Sequence, residues 1–336
     1  MRQNLEITRR QFCGALAVCL AVLAAGNYAV GRLTAHTVSH RLLADTREAG
    51  HVQIIALGNS LMRSGFVPEV FSPPATPGGH SPAFNLAMGA STPVEQLLLL
   101  RAGLQSFTAP RLLLYGFYDF QLTDPVSFSN ADMIGNHDIL YYQEPEFARR
   151  HYQMSRYEAA AFEIDRRASL LAERGAVWAK VELLRRGLGQ QGMPVEASNQ
   201  FGRAADFTLL EAKNHEEFER HCAAASLAGL NAPVAEIIRE AQQRGIKVVF
   251  VVMPLPPRHV EAFYDSGGWN TYQWHLRRLL AAQSVSYLDA SRWISGPEKF
   301  GDALHLSPAG ADGFSRRLGE LCSNLDDLGS CPSRGK

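Results

Sequence analysis

Hydrophobic and polar positions divide the chain into one long apolar run near its start and, further on, short apolar runs separated by helix-patterned stretches. Residues 12–30 carry no charged side chain and include Cys13, Leu16, Val18, Leu20, Val22, Leu23 and Tyr28. That length suits one bilayer-spanning helix. A polar connector with a short helix is expected over residues 34–50, where Arg41, Asp45, Arg47 and Glu48 fall. Residues 52–57 form the first predicted strand, an apolar run that stops abruptly at Gly58-Asn59-Ser60. Further strands are predicted at 84–86, 111–115, 247–253 and 285–288. Between them, Thr92 and Pro93 open a helix to Leu104, residues 270–283 read as amphipathic helix, and Ser307-Pro308 starts a last helix to about Leu321.

Strands alternating with helices predict an α/β fold, a mostly parallel sheet covered on both faces. Residues 144–186 and 208–244 have helical composition, the latter interrupted around Gly229 and Pro233, and 187–202 reads as loop. The interval of about 120–243 is therefore expected to be a large helical insertion. The expected organisation is a cytoplasmic N-terminus and transmembrane anchor or signal at 1–31, a connector at 32–50, a catalytic domain at 51–325, and a tail at 326–336.

Charge adds orientation. Arg2, Arg9 and Arg10 precede the apolar run, which predicts a cytoplasmic N-terminus and an exported remainder. Thr8-Arg9-Arg10-Gln11-Phe12 fits an ordinary positive flank and also a twin-arginine export signal. No clean small-x-small cleavage site follows, so an uncleaved anchor ranks before a cleaved signal. The chain has 33 basic and 33 acidic residues, so nothing points to nucleic acid as a partner. Of its five cysteines, Cys322 and Cys331 flank a stretch that a disulfide would close in an oxidising compartment, while Cys222 has no evident partner. No cysteine–histidine set has zinc-site spacing and no glycine-rich phosphate loop appears, so no cofactor is expected.

The chemistry concentrates at two places. Ser60 ends the first strand, at the sheet edge where open α/β folds place their ligands. Asp302-Ala303-Leu304-His305 comes far downstream, three residues separating carboxylate from imidazole. Serine as nucleophile, histidine as base and aspartate as orienting group form a working set for acyl transfer. A serine after a strand also caps helices, and Asp-x-x-His pairs recur by chance. The combination carries the reading. Met62 stands where a Gly-x-Ser-x-Gly elbow needs glycine, and the helix at His215-Glu216-Glu217 lacks a second histidine at metalloprotease spacing. Asn136-His137-Asp138 reads as a substrate contact or a surface turn. Pro254-Leu255-Pro256-Pro257 reads as a rigid exit turn or a pocket wall, and Tyr272 and Trp274 as packing residues.

These blocks resemble the SGNH or GDSL hydrolase superfamily. Gly58-Asn59-Ser60 is similar to its Gly-Asp-Ser block, Asn85-Leu86-Ala87-Met88-Gly89 to its Asn-x-Gly-like element, Gly116-Phe117-Tyr118-Asp119 to its Gly-x-Asn-Asp block, and Asp302-x-x-His305 to its last block. The resemblance spans about half the chain and implies a flavodoxin-like parallel sheet. It implies Ser60, Asp302 and His305 as catalytic residues, with Asn85, Gly89, Tyr118 and Asp119 as oxyanion or substrate-binding positions. Two departures stand out. Asn59 replaces aspartate, and Tyr118 stands in place of the oxyanion asparagine.

An SGNH-type domain behind an anchor resembles extracytoplasmic proteins that acylate or deacylate cell-envelope polysaccharide beside a multi-span membrane O-acyltransferase. The implied function is a serine esterase or O-acyltransferase at the inner membrane, its catalytic domain in the periplasm, with acylated polysaccharide or another ester as substrate. The alternative, motivated by Tyr118, is an impaired fold kept as a binding or scaffold subunit of an envelope complex.

Overall fold

The computed structural model describes residues 9–72, 81–123, 138–175, 177–178, 181 and 215–323. The chain divides into two compact units, residues 1–41 with 133–192, and residues 42–132 with 193–336.

The second unit is built on a five-stranded, wholly parallel sheet: β1 (Ile54–Gly58), β2 (Ala83–Asn85), β3 (Leu112–Phe117), β4 (Lys247–Val252) and β5 (Ser286–Asp289). Its order, β2-β1-β3-β4-β5, is the flavodoxin-like one expected from the sequence. Every residue of β1 and β3 is buried. Such unbroken apolar runs, without alternation, are what a sheet covered on both faces requires. Each fully buried Leu, Ile or Val contributes about 1.5–3 kcal/mol.

Helices follow strands as predicted. Chain order gives α2 (Val38–Glu48), α3 (Ser60–Gly65), α4 (Pro68–Phe71) and α5 (Pro93–Ser106) before β3. In α5, Pro93 takes the first turn and the Glu95 carboxylate accepts the Thr92 N–H at 2.7 Å. The interval between β3 and β4 is helical where described: α6 (Asp138–Gln143), α7 (Pro145–His151), α8 (Arg156–Arg167), α9 (Ser169–Ala172), α10 (His215–Ala225) and α11 (Ala232–Gln243). The predicted 187–202 loop lies outside the described residues. After β4 come α12 (Gly267–Ala282) and, after β5, α13 (Pro308–Ser323).

The first unit contains α1 (Arg9–Thr34) and α6–α9. Over Gln11–Thr34, α1 has a mean hydropathy of 1.9 and only 6% of its most apolar window is buried, so it has the length and apolarity of a membrane span. Cys13 and Cys19 are exposed on it.

Two expectations change. Tyr272 packs fully inside, but Trp274 is 61% exposed, one α-helical step pair further round α12. Its ring lies under the Arg278 guanidinium at 4.6 Å instead of in the core. Cys322 is a buried free thiol on α13, and Cys331 lies outside the described residues.

The tightest backbone constraint is where β1 ends. Gly58 has φ +150°, and a Cβ there would sit 2.3 Å from the Gly116 carbonyl oxygen of β3. Gly58→Ala should therefore destabilise the fold by at least about 2 kcal/mol, through strain plus this collision. Chemical unfolding in detergent checks it, and a variant as stable as wild type would contradict the close pass.

Candidate active site

Parallel register sets the site. Gly58 pairs with Gly116, so the residues that follow β1 and β3 leave the sheet at the same level. Ser60 opens α3 directly after β1, with its residue partly exposed. Asn59 is the N-cap: its Oδ1 accepts the Leu61 N–H at 3.0 Å. Its Nδ2 donates to Gln121 Oε1 at 2.8 Å. An aspartate could not donate there, so the departure at position 59 links the serine turn to the chain leaving β3.

Asp302 and His305 sit between β5 and α13, in an irregular loop clasped by the Phe300–Leu306 antiparallel bridge. The Asp302 Oδ1 accepts the backbone N–H groups of Leu304 and His305, each at 2.8 Å, folding the loop back on itself. His305 Nδ1 lies 2.8 Å from Asp302 Oδ2, and its Nε2 lies 2.9 Å from Ser60 Oγ. The tautomer that satisfies both contacts has Nδ1–H donating to Asp302 and Nε2 accepting from the Ser60 hydroxyl. Burial raises the Asp302 pKa, but hydrogen bonds from the His305 ring and from the 304 and 305 amides outweigh it, and the carboxyl is held below its ordinary value.

The helices hold the pair in range. The Ser315 hydroxyl of α13 donates to the Gly65 carbonyl at 3.1 Å and accepts the Val67 N–H at 2.8 Å, tying α13 to the end of α3. Gly319 lets α13 close on α4, since a Cβ there would lie 2.3 Å from the Phe71 carbonyl.

The remaining sequence-predicted positions divide. Gly89 follows Met88, whose N–H donates to the Gly58 carbonyl at 3.1 Å, and Ser91 Oγ donates to that carbonyl at 3.2 Å. The loop after β2 is thus fastened beside the Ser60 turn. Among the described residues the N–H groups of Ser60 and Gly89 have no hydrogen-bond acceptor. Asn85 is occupied elsewhere. Its Nδ2 donates to the carbonyls of Phe66 (2.8 Å) and Arg63 (3.2 Å), and its Oδ1 accepts the Ala87 N–H at 3.1 Å. It closes the C-terminal end of α3 and leaves no amide proton for an oxyanion. It also borders a cavity of about 590 Å³ lined by Asp45, Arg63, Phe66, Glu69 and Phe84, to which Ser60 and His305 do not contribute.

Tyr118 is half-buried at the end of β3, and burial, then the Asp119 charge, pushes its phenol up to about 12. It keeps its hydroxyl proton throughout the neutral range. Asp119 has φ +48° and turns toward Tyr264, whose hydroxyl donates to Asp119 Oδ1 at 2.9 Å and accepts the Asp119 N–H at 3.1 Å. The ring of Tyr264 stacks on Trp269 at 3.9 Å, beside Phe218 and Phe263. Buried His259 lies 3.8 Å from Asp119. Gln121, Tyr264 and His259 were not singled out as site residues from sequence, since no local motif marks a partner a hundred residues away. Asn136 and His137 lie outside the described residues. Pro254 and Leu255 are buried, and the Leu255 N–H donates to Ser291 at 3.2 Å, so this segment is an anchored exit from β4. Among the described residues no group of three or more metal-ligating side chains converges.

No protein-family model matches the chain, and no curated protein matches its sequence. Solved structures to which the chain is similar include a candidate acylhydrolase from Bacteroides fragilis, with 11% identity over 85% of this chain and 95% of that one and a TM-score of 0.40. A GDSL-like lipase from Bacteroides thetaiotaomicron is similar at 10% identity over 86% of this chain and 98% of its own, with a TM-score of 0.38.

Because the Asp302 pKa is lower in the folded protein than its ordinary 3.8, its ionised form stabilises the fold. That contribution is complete above the ordinary carboxyl range and is lost as pH falls through it toward the lower folded value. Asp302→Asn should narrow its stability gap to wild type as pH drops below about 4. Unfolding curves at stepped pH check this, and a gap independent of pH would contradict it.

Proposed function

We propose that this chain is a membrane-anchored serine acyl-transfer enzyme. The observation that carries the reading is the unbroken line Ser60 Oγ–His305 Nε2, His305 Nδ1–Asp302, at 2.9 and 2.8 Å. A hydroxyl, a base and an orienting carboxylate in that order supply nucleophilic catalysis.

In the proposed reaction Ser60 Oγ attacks an ester carbonyl while its proton passes to His305 Nε2. Asp302 stabilises the imidazolium so formed. The tetrahedral intermediate collapses, the alcohol leaves with the proton from His305, and the acyl group stays on Ser60. An acceptor hydroxyl then gives its proton to His305 and attacks the acyl carbon, and Ser60 Oγ leaves, taking that proton back from His305. With water as acceptor the enzyme is an esterase, and with a sugar hydroxyl it is an O-acyltransferase. The N–H groups of Ser60 and Gly89 are the proposed oxyanion donors, with the protonated Tyr118 phenol taking the part of the missing asparagine.

An envelope polysaccharide is the proposed substrate, and α1 the proposed inner-membrane anchor, with the second unit in the periplasm beside a multi-span O-acyltransferase. A retained α1 is favoured by its partners in the folded protein. Asn27 Oδ1 accepts the Leu170 N–H at 3.0 Å, and Gly31 admits Ser169 close against the helix.

Fluorophosphonate labelling and p-nitrophenyl acetate turnover test the serine chemistry. Ser60→Ala should abolish labelling and lower kcat by about 1000-fold or more. Labelling or turnover that does not depend on Ser60 would sink the serine-enzyme reading, and the absence of both in wild type would leave the scaffold alternative. Tyr118→Phe should lower kcat by about 10–1000-fold with little change in KM if the phenol stabilises the oxyanion. Acyl transfer to added glycan, followed by mass spectrometry, separates transferase from esterase.

A further inference from the structure

Helix α8 in the first unit wears its apolar side outward. Tyr157, Ala160, Ala161 and Ile164 recur at the i, i+3, i+4, i+7 spacing of a single stripe, and all four are exposed, Tyr157 at 90% and Ile164 at 60%. Only Phe162 is buried on this helix. Glu163, Asp165 and Arg166 are half-buried while the stripe is not, and Arg156, Glu158 and Arg167 are exposed beside it. Glu163 binds Arg149, Arg166 and Arg167 at 2.6–3.1 Å, and Asp165 binds Arg174 at 2.9 Å. A helix docked on a water-soluble core shows the opposite arrangement. The segment after it continues the pattern, with Leu170 and Leu171 each 38% exposed and Trp178 63% exposed.

Position relative to α1 identifies what covers this surface. Helix α8 packs on α9, and α9 packs on α1. The contact falls at Asn27 and Gly31, within about two turns of the end of the apolar helix at Thr34. If α1 crosses a bilayer, α9 meets it near the boundary between headgroups and acyl chains, and α8 lies beside it. Aromatic residues such as Tyr157 and Trp178 favour that depth. The Asn27 amide oxygen, costly inside a span, is satisfied there by the Leu170 N–H.

We infer that α8, α9 and Trp178 form a second membrane contact, lying in the bilayer interface beside α1 with the Tyr157–Ile164 stripe in the acyl boundary, and that its ligand is phospholipid. The inference rests on α1 being a retained span. The stripe itself holds no charged side chain, so the contact proposed is apolar and forms without anionic lipid.

The test uses the full chain in vesicles of zwitterionic phosphatidylcholine, with photoreactive p-benzoylphenylalanine in place of Tyr157, Ile164 or Glu158. Glu158 is exposed on the neighbouring face of α8. Flotation reports insertion of α1, and fluorophosphonate labelling of the floated protein reports the serine site separately. Illumination should give phospholipid adducts at 157 and 164 roughly tenfold above those at 158, unchanged by added salt. A floated protein with no lipid adduct at either position, or with adducts to a second copy of the chain, overturns the inference and leaves the anchor standing. A protein that does not float overturns both, and the state of the serine site is read independently in every case.

Discussion

Everything at the proposed site depends on how closely two backbones pass at the ends of β1 and β3. Gly58 and Gly116 face each other in register, and neither leaves space for a side chain. Met62 of α3 fills the space above both. The Gly58 carbonyl, left unpaired as β1 ends, is taken by the Met88 N–H and the Ser91 hydroxyl. One glycine pair thus sets the angle at which Ser60 leaves the sheet and fastens the neighbouring loop that carries Gly89. Bulk at either position would separate these segments, and the 2.9 Å contact to His305 tolerates little displacement.

Electrostatics then prepare the histidine. Burial alone would favour a neutral Asp302, yet three hydrogen bonds to its carboxylate prevail and keep it charged. The same carboxylate closes its own loop through the Leu304 and His305 amides. Structure and chemistry share one side chain, so removing its charge should affect folding as well as turnover. Tyr118 lies at the other limit. Its hydroxyl is held protonated, as a hydrogen-bond donor must be.

The strands and the Ser60, Asp302 and His305 set were legible because each is written locally. Buried runs such as Lys247–Val252 are continuous in sequence, and Asp302 and His305 lie within one loop. What stayed hidden depends on partners far apart. Asn59 looked like a conservative change until Gln121 was found at its amide, and Asp119 looked available until Tyr264 was found on its carboxylate. Asn85 matched a motif by position, but its amide closes the end of α3. Trp274 fitted an amphipathic pattern, whose phase a single residue cannot fix, and it lies outside. The outward stripe on α8 has the period of a core helix, and sequence cannot say which medium such a stripe faces.

The clasp between α13 and α3 carries a consequence for timing. Ser60 and His305 are separated by 245 positions, and the Ser315 hydroxyl that ties α13 to α3 lies later still. A chain made from its N-terminus presents Ser60 long before His305 arrives. Until α13 and the loop before it dock, the Ser60 hydroxyl lacks its imidazole partner. The order of the sequence thus works as a delay: the contact between Ser60 and His305 forms only after nearly the whole chain has been made.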